Sequence, residues 1–134
     1  FIPVILGMGG NIATQSSTII VRGMATGRVN EGGEIKLILK EVQVGIILGI
    51  LYGILLGVFA RFTFSSAPEN LGIVVGLSIC VSMIVAATVG TVIPLILRKL
   101  DIDPAIATGP FVTTSIDILG VLFYFMIAGF FLSV

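Results

Sequence analysis

The chain has 134 residues, of which 57% are hydrophobic and only 10% charged, whereas a soluble domain carries roughly 25% charged residues. Seven basic and seven acidic residues cancel, so the basic footprint of a nucleic-acid binder is missing along with the polar coat of a soluble fold. With no His and a single cysteine, Cys80, a His-bearing zinc site, haem ligation through His, a His-dependent triad and an internal disulfide are excluded. An all-α membrane protein is what remains. The chain opens at Phe1 without Met and stops inside an apolar run at Val134, as expected of a fragment or processed piece. No basic region precedes the first apolar run, so that run does not read as a signal peptide.

A helix needs about 20 mainly apolar residues to cross a bilayer, and four such stretches occur, at 1–27, 42–60, 71–97 and 104–134. The first is unusual in its middle. Gly7, Gly9 and Gly10 weaken a regular helix and let a backbone or an ion come close. Asn11, Thr14, Gln15 and Thr18 then recur at i, i+3, i+4 and i+7, a polar stripe that should face protein or water rather than lipid. A dinucleotide-binding fingerprint fails here, because Ile12 stands where a glycine is required and no strand precedes it. Arg22 falls near the inner boundary, where it can snorkel to phosphates.

After Glu31, Gly32 and Gly33, the residues Ile35, Ile38, Leu39 and Val42 form a narrow apolar stripe. This spacing suggests a short helix over 34–41 lying along the membrane interface, or else the start of the second span. The second span carries Gly45, Gly49, Gly53 and Gly57, a small-xxx-small seam that fits helix packing. In the third span Ser78, Ser82, Thr88 and Thr91 are isolated hydroxyls, with packing as the preferred account and a lining role as the other; Pro94 lies near its end. The first and third connections hold Arg28, Lys36, Lys40, Arg98 and Lys99, and the second only Arg61. That asymmetry puts the first and third connections in the cytoplasm and both ends of the chain outside.

The fourth span contains one acid, Asp117. A helix entering at Pro104 would carry it about 20 Å in, near mid-membrane. An ionisable residue there is a functional candidate by default; the plainer reading is a protonated carboxyl bonded to a neighbouring helix. Thr113 stands one helical turn away and Thr114 shares its general face, although membrane threonines commonly bond back to their own helix. Glu41 falls at a span's edge, leaving Asp117 as the acid at depth. Carboxylate, hydroxyl, amide and carbonyl oxygens are hard ligands suited to Mg²⁺, Ca²⁺ or Mn²⁺. Mg²⁺ keeps much of its water and takes few carboxylates, so two Asp117 side chains across a homodimer axis would balance one ion.

The stretches FIPVILGMGGNIATQSSTIIVRGMATGRV and DPAIATGPFVTTSIDILGVLFYF closely resemble the transmembrane domain of the MgtE magnesium channels and transporters, to which the eukaryotic carriers of solute carrier family 41 are related. The resemblance covers nearly the whole chain. It implies a homodimer with five spans per subunit, the first of them absent here, in a bacterial inner membrane. It implies a pore between subunits, hydrated Mg²⁺ held by the aspartate matching Asp117, and backbone at Thr113, Gly7 and Gly10 facing the ion. Asn11 and Gln15 would shape the pore, with Thr14, Thr18 and Thr114 lining it. Family members usually carry cytoplasmic N-terminal and CBS domains that sense magnesium. Asp101 and Asp103, at the inner mouth, could share bridging ions with them.

Transport of Mg²⁺ rather than catalysis is therefore the expectation. Oxygen ligands alone do not separate Mg²⁺ from Mn²⁺, Co²⁺ or Ca²⁺; only the resemblance favours magnesium. A sodium-coupled exchanger is the near alternative, although the sequence offers no second acid for a sodium site. An intramembrane aspartyl protease would need two carboxylates sharing a proton, and a structural membrane subunit would need no ion site at all.

Overall fold

The computed structural model describes residues 1–29, 32–64 and 66–132. Four long helices, α1 (Ile2–Ala25), α2 (Glu34–Thr63), α3 (Leu71–Lys99) and α4 (Pro110–Leu132), account for most of them, with a five-residue 3-10 helix, Pro104–Thr108, before α4. Each of the four is long and apolar enough to cross a membrane. No strand occurs among the described residues.

Helix ends follow from local chemistry. Pro3 sits in the first turn of α1, where its missing N–H has no helical partner to lose. Gly27 adopts φ 68° past the other end; its N–H donates to Met24 O and that of Arg28 to Gly23 O, the paired bonds of a Schellman stop. The same stop ends α3 with a less permissive residue. Asp101 takes φ 56°, and the N–H groups of Asp101 and Ile102 reach Arg98 O and Leu97 O.

Two expected boundaries differ from the structure. Residues 34–41 are not a separate helix but the first two turns of α2, continuous with the span. Leu37 and Ile38 pack against Ile20, Val29 and Leu95, giving that segment a protein face and removing the need to lie flat on lipid. The fourth helix begins at Pro110, not Pro104. Gly109 at φ −127°, ψ −146° breaks the chain out of helical geometry, as a residue before proline tends to do, and residues 104–108 wind as the 3-10 turn instead. The last two residues of the expected span, 133 and 134, lie outside the described set.

α3 is the hub, touching α1, α2, α4 and the 3-10 helix, while α2 packs mainly on α3. Along that antiparallel contact a Cβ on Gly53 would meet Gly76 O at 2.7 Å, and one on Gly57 would meet Gly72 O at 2.7 Å. The glycine seam is thus a backbone-to-backbone contact, the packing role its spacing suggested. α2 turns its other side outward, with Ile54 63% and Phe62 79% exposed; such a surface is suited to lipid and not to water.

At one end of the bundle Phe1 meets Phe64 edge-on, ring centroids 5.6 Å apart, and Asn70 Nδ2 donates to Phe131 O at 3.2 Å. At the other end Arg98 Nη1 donates to Val29 O at 3.2 Å. Six of the seven basic residues, Arg22, Arg28, Lys36, Lys40, Arg98 and Lys99, gather at this second end, with Arg61 alone at the first.

Candidate functional site

The candidate residues lie along the contact between α1 and α4, which run antiparallel. Ile116 faces the Gly9 backbone, a Cβ on Gly10 would lie 3.9 Å from Thr113 Cγ2, and one on Gly120 would strike Leu6 Cδ2 at 2.9 Å. From Ile116 and Thr113, the next position around α4 is Asp117. From Gly9 and Gly10, the next positions around α1 are Gly7, Thr14, Thr18 and Asn11. Because the helices are antiparallel, these two advances lead to the same side of the pair.

On that side the surface is open. Gly7, Asn11, Gln15, Thr18, Thr114 and Asp117 are exposed, and Thr14 and Thr113 are half-buried. Gly10 is buried, and its carbonyl accepts the Thr14 hydroxyl at 2.8 Å. Thr18 bonds to Thr14 O at 2.7 Å and Thr113 to Pro110 O at 3.1 Å. These three hydroxyls donate to their own helices, leaving oxygen lone pairs as what they can offer outward.

The late start of α4 changes how Asp117 reaches depth. It lies seven residues, about 10 Å, beyond Pro110 rather than about 20 Å beyond Pro104. The start of α4 is itself sunk in the bundle, however, beside Gly10 in the middle of α1. Ser82 Oγ, which neighbours both Gly9 and Gly120, stands eleven residues into the 29-residue α3, roughly 17 Å along it. Asp117, one turn from Gly120, shares that depth.

Asp101 and Asp103 are exposed below the site, and each has local work. Asp101 supplies the positive-φ stop of α3, and Asp103 caps the 3-10 helix by accepting from Ala105 N at 2.9 Å. Among the described residues no three acidic or Cys side chains gather into a metal-binding cluster. In α3, Thr88 and Thr91 bond back to Ile84 O and Ala87 O, whereas the buried Ser78 and Ser82 hydroxyls have no partner among the described residues.

One polar contact was not legible in the sequence. Glu41 is buried, 8% exposed, and its Oε2 accepts the hydroxyl of the equally enclosed Ser16 at 2.8 Å. Asp117 is therefore not the sole acid within the helical bundle. The partners are 25 positions apart and lie on different helices, so no local pattern joins them; the residual signal was a glutamate just inside an apolar run.

Four helices long and apolar enough to cross a membrane, with an acid and a polar stripe on one open flank, define a multi-pass membrane protein. The family model described as "MgtE: Divalent cation transporter" matches residues 2–127, and the chain belongs to the MgtE family. It is 39% identical over 128 residues to the magnesium transporter MgtE of Bacillus subtilis, covering 96% of this chain and 28% of that protein. The protein of the same name from Enterococcus faecalis is 37% identical over 132 residues, 98% of this chain and 29% of the relative. That from Thermus thermophilus is 36% identical over 128 residues, covering 96% and 28%. The chain thus spans less than a third of the length of these relatives.

Proposed function

We propose that this chain is the ion-conducting membrane part of a magnesium transporter, and that two copies form one pore lined by the α1–α4 flank of each. The observation that carries the reading is the exposure of Asp117 beside Gly7, Asn11, Gln15 and Thr18 on a surface at membrane depth. An ionised carboxylate and an amide stripe are too costly to leave against lipid, and a second copy with water between would cover them. Two Asp117 carboxylates then balance one divalent charge. Mg²⁺ gives up its waters reluctantly, so the acids hold it as a hydrated ion. The open side at Gly7 and Thr113 supplies polar backbone around those waters, whereas the Gly10 carbonyl is engaged by Thr14.

The basic end faces the cytoplasm by the positive-inside rule, placing Phe1 and α4's far end outside. Asp101 and Asp103 then stand at the inner mouth, where cytoplasmic sensing domains of a longer chain would share bridging ions with them. Mn²⁺, Co²⁺ and Ca²⁺ are the competing cargo to be measured against Mg²⁺.

The test is Mg²⁺ uptake into liposomes by the wild type, Asp117→Ala and Asp117→Asn. Uptake falls to the protein-free background in both variants; uptake at the wild-type rate in both contradicts the site. Wild-type flux that persists at zero sodium, reversing as a Mg²⁺ electrode would, marks conduction. Flux that stops without sodium marks exchange.

A further inference from the structure

We propose that Glu41 is a positioning residue for the pore, acting through Ser16 to set the rotation of α1 about its own axis. The proposal rests on the pore reading above for its transport consequence, but its geometry is independent of it. Ser16 and Glu41 are 3% and 8% exposed, and their bond is 2.8 Å. It is the one side-chain hydrogen bond that joins α1 to α2 among the described residues, beside the apolar packing of Leu37 and Ile38 around Ile20.

At about 100° per residue, Ser16 points roughly 150° away from the centre of the stripe made by Asn11, Thr14, Gln15 and Thr18. A grip on Ser16 therefore holds the stripe from behind. The rest of α1's inner surface alternates the buried side chains of Ile5, Ile12 and Ile20 with small residues. At the small residues α1 and α3 approach closely, with Gly9 against Ser82 and Ala86, and a Cβ on Gly90 only 2.5 Å from Ala13 O. The isoleucines anchor α1 by apolar packing, which is non-directional, and the small-residue stretches between them allow close approach without adding interlocking side chains. A short polar bond from a third helix adds the directional contact that this packing lacks.

Stability alone is a poor reason for such a residue. A buried carboxylate held by one hydroxyl costs desolvation, and replacing both members of a buried polar pair by apolar groups is often neutral or stabilising. That asymmetry provides the test. Glu41→Gln keeps an acceptor for Ser16, whereas the double variant Ser16→Ala/Glu41→Met removes the tie without orphaning either side.

In liposomes, the double variant is expected to raise the half-saturating Mg²⁺ concentration by about tenfold, the scale of one hydrogen bond to a charged group, and to narrow the Mg²⁺-to-Ca²⁺ flux ratio. Its helical content and oligomeric state stay those of the wild type, and Glu41→Gln stays within about twofold on both transport measures. A second readout needs no transport. In a Cys80→Ala background, Gln15→Cys reacts with a water-soluble thiol reagent, and that reaction slows when the double variant is added. Wild-type half-saturation and flux ratio in the double variant, or loss of maximal flux with both unchanged, overturns the positioning role; unchanged labelling of Gln15→Cys overturns it as well. Failure of the pore reading shows separately, as wild-type uptake by Asp117→Ala with the labelling shift intact.

Discussion

The α2–α3 seam and the α1–α4 flank are built from similar small residues to opposite ends. In the seam, Gly53 and Gly57 bring backbone against the backbone of Gly76 and Gly72, leaving no room for a methyl group. On the flank, a Cβ on Gly7 would meet nothing within 4 Å, and its neighbours Asn11, Gln15 and Asp117 are polar and uncovered. The lesson is that glycine at membrane depth has two uses, and the company it keeps separates them. Surrounded by Ile, Leu and Val it closes a contact; beside amides and a carboxylate it leaves an opening.

The contrast predicts that function and stability divide between the two regions. The largest effect is expected on the flank: Asp117→Ala abolishes Mg²⁺ uptake while its thermal midpoint in detergent stays at the wild-type value, because the side chain is exposed within the protomer. A midpoint that falls with activity would make Asp117 a packing residue instead. Next comes the seam. Gly53→Leu forces a side chain into the Gly76 carbonyl and should destabilise the bundle by at least about 1–3 kcal/mol, the usual cost of overpacking, measured as loss of monodisperse protein or a lowered midpoint. Gly7→Ala, by comparison, should leave the midpoint in place.

Smaller still is Ser82→Ala. Its hydroxyl is buried at the α1–α3–α4 junction with no partner among the described residues, so removing it should stabilise by about 1 kcal/mol, the order of the burial penalty for an unpaired group. A loss of stability would reveal a bond or water held there. The least effect belongs to Asp101→Gly. Gly adopts the positive φ of that position freely, so stability should rise by a few tenths to about 1 kcal/mol, with uptake unchanged if the residue only stops α3 and reduced if it also serves an ion at the mouth.

Much of the fold was written in local pattern. Apolar runs of membrane length, the four-residue glycine spacing and the placement of Arg and Lys need only neighbouring residues to be read, and the structure places helices over all four runs. What escaped depended on partners. Pro104 and Pro110 are both plausible helix starts, and the choice between them rests on the Gly109 backbone and on the packing of the 3-10 helix against α1 and α3. Residues 34–41 looked amphipathic because half of their apolar side chains point outward, and only Ile20, Val29 and Leu95 show what the other half covers. Glu41 read as a residue at a span's edge, and its burial against Ser16 depends on another helix. Asp117 and the polar stripe stood out in the sequence, since an acid in an apolar run and a polar heptad stripe are each anomalous in lipid; that they share one open flank depends on the pairing of α1 with α4.

The most direct measurement is a structure of the protein in its membrane-extracted assembly, grown or soaked with Mn²⁺ and read by anomalous scattering. A single peak on a two-fold axis between paired Asp117 carboxylates, separated from them by the width of a bound water, is the expected result. Asp117 turned toward detergent, or an ion bound elsewhere with none at that axis, would contradict a pore built from two α1–α4 flanks.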